Sequence, residues 1–169
     1  MPSVAIKNGG VSNFGNHVST VVPYVLAFLL NVVFIYLASR AILKLGSRLA
    51  YIARALMLLS VLTLIVFIST FPRHYNFTYS DIHDDLGIVL YSYEFLISVW
   101  IVMKRPTAMA KALLSMQAIG SMVGLLSALK VIHFLFLGQI VGAAGFGLLI
   151  GIILPKVIET ELDLKSDKS

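Results

Sequence analysis

The chain contains no cysteine, which removes disulfide bridges, thiolate nucleophiles, iron–sulfur clusters and Cys-type zinc sites from consideration together. Charge is almost as scarce. Only 12% of the 169 residues are Asp, Glu, Lys or Arg, and 59% are hydrophobic, with a mean hydropathy of +0.93, so a water-facing surface is hard to build. Neither a Ser-His-Asp pattern nor a phosphate-binding loop occurs, and nothing points positively to catalysis. The first apolar run begins near Val18 with no basic segment or small-residue cleavage site of the signal-peptide type, and it is expected to stay in the mature protein. There is no soluble-domain boundary, internal repeat or low-complexity tract.

What the chain has in place of charge is length of apolar run. Four stretches lack any charged side chain over roughly 18 residues, and a fifth is interrupted only by Glu94. That is about what a ~30 Å hydrocarbon core requires at ~1.5 Å per residue. The expectation is an all-α bundle of about five transmembrane helices over 18–155, at about 18–38, 49–70, 86–103, 112–129 and 131–154. A flexible outer arm (1–17) precedes it, and a charged cytoplasmic tail (156–169) follows once Pro155 and Lys156 close the last span. The fourth and fifth segments are separated only by Ser127 to His133, which has neither Gly nor Pro, so a tight turn at Lys130 decides between two full spans and one bent segment.

The net charge of +5 sits at helix ends, so nucleic acid is not an expected partner and the lipid bilayer is. Arg40, Lys44, Arg48, Arg54, Lys104, Arg105, Lys111, Lys156, Lys165 and Lys168 fall on one side of the array. Lys7, Arg73 and Lys130 fall on the other. The richer side is expected in the cytoplasm, which puts the N-terminus outside, the C-terminus inside and the protein in the cell membrane as a multi-pass chain. The longest outer loop runs from Phe71 to Asp85. Pro72 ends the second helix, and Ser80 is a candidate N-cap for the third, with Asp81, Asp84 and Asp85 in its first turn.

Glu94 is the sharpest single feature, because an ionised carboxylate is costly within a span. It stands for a proton-relay, cation or headgroup-binding group, or for packing glue hydrogen-bonded to Asn31, Gln117 or Gln139 on a neighbouring helix. His83, Gly87, Tyr91, Glu94 and Ser98 recur at three- and four-residue spacing and form one stripe. His83 and Glu94 lie about 16 Å apart along it, too far to share a small ligand. All four histidines (His17, His74, His83, His133) map to the outer side, with Asp81, Asp84 and Asp85 beside two of them. A metal there is conceivable, but the spacing matches no ligand motif, and no metal or cofactor is expected. Gly138, Gly142, Gly147 and Gly151, with Gly145, Gly120 and Gly124, mark faces for close helix packing, within the chain or with a second copy or partner subunit. Asn76-Phe77-Thr78 is a glycosylation sequon on the outer side.

Four short motifs carry a resemblance: VSNFGN (Val11 to Asn16) before the first helix, Phe71-Pro72 ending the second, His83 at the head of the third and Gln139 early in the last. In these the chain resembles the small multi-span prokaryotic membrane proteins of uncharacterised function grouped with the DRAM-type autophagy modulators. The resemblance implies that His83, Asn13 and Gln139 converge at the outer end of the bundle. Three functions are open at this point. The foremost is a lipid- or partner-binding structural or regulatory component of the envelope. Next comes a small proton- or cation-coupled transporter, or transporter subunit, using Glu94. The third is an intramembrane lipid-headgroup enzyme with an outer-face His/Asp site.

Overall fold

The computed structural model describes residues 10–46, 49–72 and 77–166, and every regular element among them is helical. After a 3₁₀ turn at Val11–Asn16 come α1 (Val21–Leu45), α2 (Ala50–Ser69), α3 (Phe77–Lys104), α4 (Ala108–Ala128) and α5 (Leu135–Leu148). A single π turn (Leu149–Ile153) then leads without a break into α6 (Leu154–Ser166). Among the described residues five helices are long and apolar enough to cross a membrane: α1, α2, α3 from Ser80, α4 to Ser127, and the continuous run Leu135–Asp163. The chain divides into two compact units, Val11–Tyr93 and Glu94–Ser169 with Gly10, and α3 contributes to both.

In the first unit α1 packs on α2 through large side chains. Tyr24 and Ile42 of α1 and Ile52, Leu56, Leu59, Val66 and Phe67 of α2 are buried. Tyr24, Phe28 and Phe67 stack with ring centroids 4.7–5.9 Å apart, and Phe71 meets Phe67 edge-on at 5.3 Å, a geometry aromatic quadrupoles favour. Buried hydroxyls are satisfied locally. Ser39, Ser60 and Thr63 donate to the carbonyls of Tyr36, Met57 and Leu59 at 2.6–2.9 Å, the back-bonding open to Ser and Thr in a helix.

In the second unit α4 and α5 approach backbone to backbone. A Cβ placed on Gly138 would stand 2.5 Å from the Gly124 nitrogen, one on Gly145 would stand 2.8 Å from the Gln117 nitrogen, and one on Gly120 would collide with the Gly142 backbone. Only hydrogen fits at these crossings. The hairpin joining the two helices is closed by Lys130 at φ 61. Its N–H reaches the Ser127 carbonyl at 3.0 Å and the next N–H, of Val131, reaches Leu126 at 2.9 Å. This is a Schellman turn with lysine where glycine is usual. The Ser127 hydroxyl accepts from the Phe134 N–H at 3.1 Å, so the opposite helix start is anchored too. The tight turn thus separates two helices rather than bending one.

Several expected boundaries differ. The outer arm is not free over Val11–Asn16. That 3₁₀ turn lies on α1 and α2 because Gly15 has no Cβ to strike the Tyr24 ring (2.7 Å) or Thr70 (3.0 Å), and Thr20 Oγ1 ties its end at the Phe14 carbonyl, 2.7 Å. Residues 1–9 lie outside the described residues. The third helix begins at Phe77, not after Ser80, so Ser80 is no cap and Asp81, Asp84 and Asp85 sit beyond the first turn. Nor does Pro155 end the last helix, which runs on to Ser166. The π turn just before it carries its bond from the Leu154 N–H to the Leu149 carbonyl, and this wider loop relieves the clash a proline ring makes with the carbonyl four residues back. Burial of Leu154 and Val157 carries the packing onward. Lys104 Nζ to Glu161 Oε1 at 2.8 Å, with Arg105 on the Lys156 carbonyl and the Thr160 hydroxyl at 3.3 Å, fastens α6 to the end of α3.

Candidate functional site

Each unit holds a set of polar side chains, and the two sets differ in whether they are satisfied. In the first unit the set is closed. His83 is buried, and its Nδ1 lies 2.8 Å from Ser69 Oγ, which itself donates to the Val66 carbonyl. Beside Ser69, the Thr70 hydroxyl meets Tyr24 Oη at 2.9 Å. At the other end of the α2–α3 contact, Tyr93 Oη donates to the Ala55 carbonyl at 3.2 Å. His83 is therefore a fastening between helices. Asn13 lies half-buried in the 3₁₀ turn of the same unit, Asp81 is exposed, and His74 lies outside the described residues, as does Asn76 of the sequon. Among the described residues no three His, Asp or Glu side chains gather as a metal-binding group.

The second unit holds the open set. Glu94 Oε2, Ser98 Oγ, both amide atoms of Gln117 and Ser121 Oγ are buried without any hydrogen-bond partner. Glu94 and Ser98 share one face of α3 at i, i+4, and Gln117 and Ser121 share one face of α4 at the same spacing. Three residues, 105–107, connect the two helices, with Thr107 capping α4 through the Ala110 N–H at 3.1 Å. So short a connection makes α3 and α4 an antiparallel hairpin. Glu94 and Gln117 stand about eleven residues from that connection on either side, hence at one depth, roughly 16 Å from it and near mid-helix.

Of the three candidate partners for Glu94, Gln117 makes no such bond, since both its amide atoms are unpartnered. Unlike Ser39, Ser60 and Ser127, neither Ser98 nor Ser121 bonds back to its own helix. Such atoms cost about 1–3 kcal/mol each when nothing satisfies them, and a group from outside the chain, a proton, a cation or water, is what would. Gln117 and Ser121 owe their burial to the glycine crossings of α4 on α5, which no pattern of polar residues in the sequence announces. For Ser121 the available signal in the chain is its place one turn beyond Gln117.

The remaining candidates belong to different elements of the chain. Gln139 lies in the second unit against Gly10, whose Cβ would stand 2.8 Å from Gln139 Oε1, whereas His83 and Asn13 belong to the first. Asn31 is exposed on α1. Gly138 and Gly142 face α4, Gly147 and Gly151 border open space. Comparison with protein-family models, with curated proteins and with solved structures gives no match.

Proposed function

We propose that the chain is a multi-pass protein of the cell membrane, N-terminus outside and C-terminus cytoplasmic, that takes up a proton or small cation at Glu94 and moves it across the bilayer. The observation that carries this is the set of unpartnered buried atoms on Glu94, Ser98, Gln117 and Ser121. A carboxylate serving as packing glue would be matched by a neighbour. Serine hydroxyls and a glutamine amide both donate and accept, so the same groups can serve a protonated or an ionised Glu94, which a site that loads and unloads needs. The orientation rests on the ten basic residues against three. Kinship with the DRAM-type proteins is part of the proposal, on the four motifs alone.

The test is flux into proteoliposomes of purified protein, read with pH- and cation-sensitive dyes. Wild type conducts, Glu94→Gln abolishes the flux and Glu94→Asp keeps a reduced one. Equal flux from Glu94→Gln, or none from wild type, overturns the proposal. In oriented vesicles, Lys168→Cys is labelled by an impermeant maleimide only from the cytoplasmic face. The lipid- or partner-binding role has its own support in the exposed face of α1.

A further inference from the structure

Among the five long apolar helices α1 is the barest: 6% of its most apolar stretch is buried, against 22–39% in the others. Its packed face carries Tyr24, Phe28, Ser39 and Ile42. One residue earlier at each turn, rotated by about 100°, runs a second line: Ala27, Asn31, Phe34, Ala38, Ala41. These positions alternate by four and three, the spacing of a helix-pairing seam. All are exposed except the half-buried Ala38, and Phe34 is 65% exposed. Three alanines let a second backbone come close.

Asn31 stands in the middle of this line, about 15 Å from the start of α1. Its amide makes no hydrogen bond among the described residues, and lipid offers it none. We propose that the seam pairs with the same seam of a second copy, Asn31 against Asn31, in a parallel two-fold dimer. The occupant follows from the chemistry. A bilayer inserts all copies one way up, so equivalent residues lie at equal depth. An amide carries donor and acceptor together, so two asparagines across a two-fold axis satisfy each other. The cations near the seam do not oppose this. Arg40 and Lys44 lie off the line, and Arg40 is folded onto its own Tyr36, 3.0 Å from Oη.

The absence of cysteine makes the test direct. Single cysteines at Ala27, Phe34 or Ala41 on the seam, and at Leu30 or Leu37 off it, are oxidised in native membranes of cells expressing the full chain. Seam positions give a covalent dimer of the chain and the off-seam positions do not. Asn31→Leu, at an exposed position that makes no hydrogen bond within the described residues, weakens dimerisation measured by fluorescence transfer in liposomes roughly 3- to 20-fold, and Asn31→Gln restores it. Equal cross-linking at all positions, a monomer by single-molecule photobleaching, cross-links to a different protein in place of the dimer, or an unaffected Asn31→Leu each overturns the proposal. Flux through Glu94 is read separately and its failure leaves the dimer standing.

Discussion

The two units solve the same problem, packing long apolar helices against one another, in opposite ways. The first interlocks large side chains, stacks aromatic rings and closes each polar pair: Tyr24 with Thr70, Ser69 with His83, Tyr93 with the Ala55 carbonyl. The second removes side chains altogether where α4 crosses α5, and leaves buried polar atoms of Glu94, Ser98, Gln117 and Ser121 unmatched. Tight backbone contact holds that unit together while leaving its polar atoms free for something else. Stability and polarity are coupled in the first unit and separated in the second.

That comparison breaks most readily at the glycine crossing. Gly120→Val should cost several kcal/mol, at or beyond the ~1–3 kcal/mol of ordinary overpacking, because the added carbon meets backbone that cannot rotate away. Gly124→Ala, which meets nothing within 4 Å, should keep the wild-type unfolding midpoint in detergent. Next in size is a change of opposite sign. Gln117→Leu removes two unsatisfied atoms and should stabilise the chain by about 1–3 kcal/mol for each of them while lowering flux; loss of stability in an SDS titration would mean the amide is matched after all. Lys130→Gly should stabilise by about 1 kcal/mol, since only the Cβ opposes the left-handed turn that lysine adopts. Smallest is Tyr24→Phe, a loss of about 0.6 kcal/mol, the usual worth of an interhelical hydrogen bond in a membrane. Opposite signs at Tyr24 and Gln117 sharpen the contrast, and equal signs erase it.

Much of the fold was legible in the chain. Five apolar runs announced five long helices because hydrocarbon leaves backbone groups no other partner, and the spacing of His83 to Ser98 marked a shared face of α3. Boundaries were less legible. The helix through Pro155 depends on a π turn, and the order of Val11–Asn16 on contacts of Gly15 with residues far along the chain. The candidate site was half visible. Glu94 stood out by its charge, but Gln117 and Ser121 look unremarkable until the glycines bring α5 against α4.

What the sequence by itself determined is the number of helices long and apolar enough to cross a membrane, since hydropathy and run length are local sums that no folding can change. Only the tertiary structure decided which polar groups are spent. His83 and Glu94 read alike in the chain, two ionisable residues on one stripe of one helix. A hydrogen bond is a property of two positions, and the partner, Ser69 for the histidine and none for Glu94 Oε2, exists only once the helices have met.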